Sequence, residues 1–311
     1  MLSSLEKSIL KSIVYFDILS YPLKEKELLW NLANTFDVTS RDYFLSVSLG
    51  EVIKKSQYLQ EVIRNNNGFY FLKGREELIE ERKEKERISE QNWKKLKKIT
   101  PIINWTPFLK GVFVSGSLAI NNSNKSSDID LMIITEKGRI FTVRFFLTLF
   151  LSIIRERRTP HKIAGKICLN HYLADNALRV NFPSVYNAYT YLHLKPIISR
   201  EGVFERFRKE QDWMKDYILF WDKIFKPPFQ IEKKSKTAVI LEKKLSGSLG
   251  DTIEEKLKNI QLKRKEKNYP QGIKNGRVIL NDYLIELHPD SPEKEILKRY
   301  QKKLKELLFL R

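Results

Sequence analysis

Residues 111–135 read GVFVSGSLAINNSNKSSDIDLMIIT, and this stretch decides how the rest of the chain is arranged. Residues 112–114 form an apolar run with β-branched ends, which is typical of a buried strand. Gly116, between two serines, breaks the run, and residues 121–127 are polar and turn-forming. From residue 128 onward, apolar and polar residues alternate. We therefore expect a strand, a tight turn, a short helix, a loop and a second strand.

Asp128 and Asp130 stand at the start of the second strand, where alternation places both carboxylates on one face. Neighbouring carboxylates repel each other and raise each other's pKa unless a cation lies between them. Carboxylate oxygens with open coordination positions suit Mg²⁺ or Mn²⁺ shared with substrate phosphates. Gly116 and Ser117 supply a turn whose backbone N–H groups can bind phosphate oxygens. The stretch thus predicts metal-dependent phosphoryl or nucleotidyl transfer.

A Gly-Ser pair, ten residues and then Asp-x-Asp in an apolar strand resemble the nucleotidyltransferase superfamily typified by DNA polymerase beta. The flanking sequence is similar to that of uncharacterised nucleotidyltransferase-domain proteins, which adds no substrate. The resemblance implies that Gly116, Ser117 and Ser127 bind the nucleotide and that Asp128 and Asp130 bind one or two Mg²⁺ (or Mn²⁺) ions. The alternative is that both acids are solvated at the start of a surface strand.

A third strand is predicted over residues 166–174, KICLNHYLA. The family places a third carboxylate on such a strand, but here alternation puts Cys168 and Asn170 on one face and His171 on the other, with no Asp or Glu. Asn170 is the best placed substitute, although an amide oxygen is a weaker metal ligand. Altered chemistry, a ligand from elsewhere such as Asp175, and nucleotide binding without catalysis all stay open. We expect Cys168 to be inert core, and His171 to be either a base or a hydrogen-bonded core residue.

Composition limits the class of protein. The chain has 311 residues and one cysteine, which suits two or three domains in a reducing cytoplasm without a disulfide framework. Its first ten residues lack a signal-peptide layout, and its longest apolar run, residues 145–154, is too short to span a membrane. The net charge is +19, and nearly all of the excess lies after residue 137. This charge fits a polyanionic partner, RNA or DNA, and equally fits a lysine-rich solvated surface.

The fold class predicted is α+β. Residues 1–75 resemble a winged helix, with three helices, the third capped by Ser40, and a hairpin; DNA binding, protein contact and dimerisation stay open. Residues 76–100 read as a charged, solvent-facing connector helix. Residues 101–182 would form the nucleotidyltransferase core with its small mixed sheet. Residues 183–311 would form a basic, mostly helical domain, whose aromatic residues are core or, in part, stack on a base.

These features together predict an enzyme that transfers a nucleoside monophosphate from a nucleoside triphosphate to an acceptor hydroxyl, with loss of pyrophosphate. On charge grounds the acceptor is a nucleic acid, with RNA a candidate. One alternative is a catalytically impaired module that binds nucleotide or nucleic acid, and another is a nucleotidyltransferase that acts on a protein or small molecule. The basic cluster at residues 155–158 is either a phosphate clamp or the C-terminus of a helix predicted from residue 139.

Overall fold

The computed structural model describes residues 2–35, 41–268 and 276–309, which form an α+β structure. The helices described are α1 (Ser4–Ile18), α2 (Glu25–Trp30), α3 (Arg41–Ser46), α4 (Leu49–Lys55), α5 (Gln57–Val62), α6 (Leu78–Ile103), α7 (Gly116–Ala119), α8 (Ile140–Ile153), α9 (Val185–Leu192), α10 (Val203–Glu210), α11 (Lys236–Lys244), α12 (Gly247–Asn268) and α13 (Glu293–Phe309). The strands are β1 (Leu23–Lys24), β2 (Ile63–Asn66), β3 (Phe69–Leu72), β4 (Leu109–Val114), β5 (Ile129–Thr135), β6 (Ile167–Ala174), β7 (Lys195–Ser199), β8 (Arg277–Leu280) and β9 (Leu284–His288). Ser40, expected to cap a helix, lies outside the described residues.

The N-terminal segment holds a three-stranded antiparallel sheet in the order β1-β3-β2. The segment predicted as one third helix, residues 40–54, contains two short helices, α3 and α4, because the side chain of Ser48 accepts a backbone N–H and caps a new helix. Ser56 caps α5 in the same way, where the sequence pattern predicts the first hairpin strand over residues 58–63. The hairpin is present, but its first strand begins at Ile63 instead of Tyr58. Its two turn residues, Asn67 and Gly68, both have positive φ, as a two-residue hairpin turn requires.

The central sheet has six strands in the order β7-β4-β5-β6-β9-β8, and within the described residues all its neighbours are antiparallel except β5 and β6. Residues 129, 131 and 133 face one apolar layer, which α6 and α8 cover. Residues 132 and 134 face a second apolar layer on the opposite side of the sheet. Strands β7, β8 and β9 all come from residues after 182, so the sheet crosses the boundary drawn there from the sequence.

Helix α6 is the predicted connector, and its charged surface carries the expected ion pairs three or four residues apart. It is not simply solvated, because Leu78, Trp93, Leu96 and Ile103 bury a continuous face against the rest of the protein. The helix also runs through Pro101. We interpret α6 as a scaffold for the central sheet.

The N-terminal segment and the C-terminal helices share one hydrophobic core on the second face of the sheet. Tyr15 of α1 stacks on Tyr189 of α9 at 4.3 Å between ring centroids and meets Tyr300 of α13 edge-on at 5.7 Å. The segment predicted as a separate N-terminal unit therefore lies against the same layer as α9 and α13. Among the helices that the structure describes, none combines the length and apolar character that crossing a membrane requires.

Candidate functional site

Strands β4 and β5 bring the turn at Gly116 against the carboxylates. The backbone N–H of Ser115 donates to the carbonyl of Asp130 at 3.0 Å, which fixes the turn to the second strand. Gly116 has a φ of +63°, and a Cβ built there would lie 2.6 Å from Oδ2 of Asp130. Both the backbone conformation and the space left by Asp130 therefore require glycine at this position.

The loop after α7 is held by α6. Ser123 donates its backbone N–H to Oγ of Ser89 at 3.0 Å, and Trp93 donates Nε1–H to Oδ1 of Asn121 at 2.9 Å. Ser89 and Trp93 are both buried. The scaffold helix thus fixes the loop that leads into Asp128 and Asp130.

The two serines assigned to the nucleotide have different surroundings. Ser117 lines a cavity beside the carboxylates, and its Oγ lies 3.4 Å from that of Ser123. Ser127 is a loop-forming residue instead. Its Oγ accepts the backbone N–H of Asn124 at 2.9 Å, and its carbonyl accepts that of Gly165 at 2.8 Å. The structure therefore brings Ser117, but not Ser127, to the wall of a cavity at the site.

Asp128, Asp130 and Cys168 form a cluster in which one ligand atom of each residue lies within 4.8 Å of the others. It is the one such group of three His, Cys, Asp or Glu residues found in the described ranges. Cys168 pairs with Asp130 across the parallel strands β5 and β6. It is buried, as the expectation of a core residue requires, and its thiol lies beside two carboxylates, which that expectation did not include. The two carboxylates fit Mg²⁺ or Mn²⁺, whereas a sulfur ligand suits softer metals.

Charge repulsion at the cluster is partly relieved by Arg158. Its Nε lies 2.9 Å from Oδ2 of Asp128, and its Nη1 lies 3.7 Å from Sγ of Cys168. Burial, followed by the negative charge of Asp128, raises the pKa of Asp130 to about 6. Burial and the same two carboxylates raise the pKa of the Cys168 thiol. A bound cation would relieve this repulsion further.

A bulge in β6 changes which residues face the carboxylates. Asp130 pairs with Cys168, and Met132 pairs with His171. Three steps along β6 therefore match two steps along β5, so β6 contains one extra residue at this point. His171 therefore shares the face of Cys168, and the prediction that strict alternation separates them was wrong. Asn170 lies within the bulge and lines the cavity above the carboxylates. Strict period-two counting could not reveal the extra residue.

That cavity, which we call the carboxylate cavity, has a volume of about 350 Å³ and is lined by Gly116, Asp128, Asp130, Asn170, His171 and Glu286, among others. Glu286 of β9 pairs with His171 of β6. Oε1 of Glu286 accepts a hydrogen bond from Arg277 at 2.8 Å. Oε2 of Glu286 and Nε2 of His171 are buried, and neither has a hydrogen-bond partner within the described residues. Buried polar atoms are rarely left unpaired, so the hydrogen bonding of this wall is incomplete within the described residues.

The protonation states of this wall follow from its surroundings. Burial acts to raise the pKa of Glu286, but His288, His171 and Arg277 together hold it at about 2. Burial lowers the pKa of His171 to about 4. At neutral pH the wall therefore presents an ionised carboxylate and a neutral imidazole. Sequence reasoning missed Glu286, although a lone Glu in the alternating run LIELH resembles the Asp in the run at β5.

A second cavity of about 290 Å³ shares Gly116 and Asp130 with the first and has aromatic walls. Tyr15 and Phe16 of α1 and Tyr186 of α9 contribute to these walls. Most of the aromatic residues predicted to be core are buried, whereas Tyr186 lines both cavities. The N-terminal segment therefore reaches the candidate site.

The basic cluster at residues 155–158 lies beyond the helix that was expected to carry it. Helix α8 ends at Ile153, and Arg155 has a positive φ of 58° that takes the chain out of the helix. The prediction of a helix through Arg158 was therefore wrong, and the dipole explanation for the cluster does not apply. Asp175, another suggested ligand, accepts the backbone N–H of Lys137 instead.

The site thus combines a carboxylate pair, a neighbouring arginine, a glycine turn and a second wall with unpaired polar atoms. Such an arrangement can hold a divalent cation, a phosphate group and a hydroxyl-bearing ligand close together. Comparisons of the chain with protein-family models, curated proteins and solved structures found no match, so its function is inferred from the chemistry of this site alone.

Proposed function

We propose that the protein is a metal-dependent nucleotidyltransferase. It would transfer a nucleoside monophosphate from a nucleoside triphosphate to an acceptor hydroxyl. The observation that carries this proposal is that Asp128 and Asp130 line one cavity together with Glu286 and His171, each of which has a buried polar atom without a hydrogen-bond partner in the described residues. The acid pair alone would fit many structural roles. The opposite wall, where Oε2 of Glu286 and Nε2 of His171 have no hydrogen-bond partner among the described residues, points to a ligand.

Asp128 and Asp130 would hold one or two Mg²⁺ or Mn²⁺ ions, which neutralise phosphate charge when bound. Gly116 leaves room for Asp130 and exposes the backbone of the turn to the nucleotide. Arg158, whose side chain is 43% exposed, can reach a phosphate oxygen without moving far from Asp128. Arginine pairs with phosphate through two parallel N–H donors, so it also orients the group.

Glu286 would position the acceptor. A carboxylate with a pKa of about 2 is a weak base at neutral pH, so its Oε2 accepts a hydrogen bond from a hydroxyl and does not take the proton. In the transfer step the acceptor oxygen bonds to the α-phosphorus of the nucleotide. The bond from that phosphorus to the bridging oxygen breaks, pyrophosphate leaves, and the hydroxyl proton passes to solvent.

A second candidate is a module that binds nucleotide without transferring it. Cys168 favours this reading, because a thiol and not a carboxylate stands opposite Asp130 on β6, whereas the family resemblance implies a third carboxylate on that strand. A buried thiol is a poor ligand for Mg²⁺. Both candidate functions bind nucleotide in the same cavity, so a turnover assay distinguishes them and a binding assay does not.

The test uses purified protein with Mg²⁺ or Mn²⁺, each of four α-labelled nucleoside triphosphates, and short RNA, short DNA or total tRNA as acceptor. Asp128→Asn and Asp130→Asn are the site variants. Asp216→Asn, at an exposed position that lines neither cavity, is the matched control. We expect labelled acceptor with the parent protein and with the control, and none with the site variants.

Labelling that survives in both site variants would contradict the assignment of the site. Nucleotide binding without labelled product on any acceptor would contradict the enzyme and favour the binding module.

A further inference from the structure

A third cavity, of about 660 Å³, opens beside the carboxylate cavity between α8, the loop after it, β6 and α12. We call it the basic cavity, because five cationic side chains line it: Arg144, Arg157, Arg158, Arg264 and Lys265. Within the described residues, no Asp or Glu lines it. An electropositive cavity of this kind lies in the half of the chain that carries nearly all of the net charge.

The charges of this cavity are poorly neutralised by the protein itself. Arg157, Arg264 and Lys265 have no ion-pair partner in the part of the chain that the structure describes. The charge of Arg158 is partly neutralised by its ion pair with Asp128. Like charges held together in a concave site destabilise the fold unless an anion offsets them, and a concave site also focuses their field. The cavity is therefore suited to a ligand with several negative charges.

The basic cavity adjoins the candidate active site. Arg158, Asn170 and Leu287 line both it and the carboxylate cavity. Cys168, whose Sγ lies within 4.8 Å of a carboxylate oxygen of Asp128 and of Asp130, also lines the basic cavity, so a ligand bound there lies beside the carboxylate pair. The basic surface also continues away from the site along α12, where Lys263 and Lys267 are exposed. This continuation fits a polymer better than a small phosphorylated molecule.

We propose that the basic cavity binds the phosphodiester backbone of a single-stranded nucleic acid and directs its terminal hydroxyl to Asp128 and Asp130. The proposal rests on the proposed function, whose acceptor it identifies. The volume is that of a small-molecule pocket, which admits one strand but not a duplex. Arg157 and Arg264 are exposed, and the planar guanidinium of arginine is well suited to phosphate.

The test measures the binding of fluorescently labelled 12-nucleotide RNA and DNA by anisotropy, in EDTA and without any nucleoside triphosphate. The site variant is Arg157→Gln/Arg264→Gln/Lys265→Gln. The matched control is Lys298→Gln/Lys302→Gln/Lys305→Gln, which removes the same charge from exposed positions on α13 that line none of the three cavities. Circular dichroism verifies folding, and Arg264→Gln alone is the fallback if the triple variant does not fold.

We expect the site variant to bind single strands about 100-fold more weakly at 0.1 M salt, with a salt slope that is smaller by about 2. The control should change affinity little. Equal losses in the two variants would show that net charge alone governs binding and would overturn the proposal, as would no loss in either. A preference for duplex over single strands would overturn it too.

Failure of this proposal is distinguishable from failure of the proposed function. Binding is measured without metal or nucleotide, so it does not depend on transfer. If Asp128→Asn and Asp130→Asn retain turnover, the site assignment fails while the binding result stands. If Arg157→Gln/Arg264→Gln/Lys265→Gln labels a protein or small-molecule acceptor at the parent rate, the assignment as a nucleotidyltransferase stands and a nucleic-acid acceptor is excluded.

Discussion

Replacing Gly116 by alanine should damage the site more than the fold. Its φ of +63° places an L-residue in the left-handed region, which costs about 1–2 kcal/mol of folding free energy. The added Cβ would also stand 2.6 Å from Oδ2 of Asp130. An ordinary carbon–oxygen contact is close to about 3.4 Å, so the carboxylate must move by most of an ångström. A displacement of about 1 Å in a reacting constellation can cost about 100-fold in rate.

Gly138→Ala is the matched control. Gly138 has a φ of +70°, and nothing lies within 4 Å of a Cβ built there. The two variants therefore share the backbone strain, but only Gly116→Ala disturbs a carboxylate. We expect similar losses of about 1–2 kcal/mol in urea-induced unfolding. We expect a large fall in Mn²⁺ affinity and in label transfer for Gly116→Ala alone.

The result that would refute this reasoning is equal behaviour of the two variants in the functional assays. If both bind Mn²⁺ and transfer label as the parent does, then Asp130 does not need the position that the structure gives it. If both lose function equally, backbone strain and not contact with Asp130 is responsible.

The remaining predictions concern four other side chains. Asp130→Asn should raise the thermal midpoint while abolishing turnover, because it removes the repulsion with Asp128; a lowered midpoint would show that the repulsion is already offset. Burial lowers the pKa of His193 to about 3, so the neutral side chain contributes fully to stability above its unfolded pKa of 6.5, and this contribution is lost as pH falls below that value. Urea unfolding should therefore show a loss of about 2 kcal/mol in the free energy of unfolding between pH 6.5 and 5, and His193→Gln should reduce this loss. An unchanged loss in the variant would contradict the assignment. Glu286→Gln should raise KM for the acceptor about 10-fold or more with unchanged nucleotide affinity, and a change in nucleotide affinity alone would exclude a role in acceptor binding. Cys168→Asp should lower stability in EDTA and enlarge the rise in Tm on adding Mn²⁺, whereas an unchanged rise would mean that this position does not contact the metal.

Local sequence patterns were enough to predict β4, the turn at Gly116 and the start of β5. These elements depend on alternation and on glycine at a tight turn, both of which are visible within 25 residues of chain. The same reasoning placed Asp128 and Asp130 together.

Features that depend on distant contacts were not predictable in this way. The bulge in β6 is set by pairing with β5, and it decides that His171 faces the carboxylates. Glu286 reaches the site because β9 adds to the far side of β6, more than 100 residues after that strand. Strand β7, KPIIS, was missed because it is short and contains proline, yet it pairs with β4. The buried face of α6 was hidden by its many charged residues.

The position of the carboxylate pair follows from how the sheet is covered. Both faces of β5 are buried from Leu131 onward, so a charged side chain can be accommodated only where the strand begins and the apolar layers end. Asp130 and Asp128 occupy that end, and the neighbouring strands β6 and β9 bring a thiol, an imidazole and a carboxylate to the same cavity or its edge. Within the described residues, Arg158 is the only cation that pairs with Asp128. A site in which so many polar groups converge with so little neutralisation carries a cost in stability, and a bound cation with an anionic ligand is the arrangement that offsets this cost.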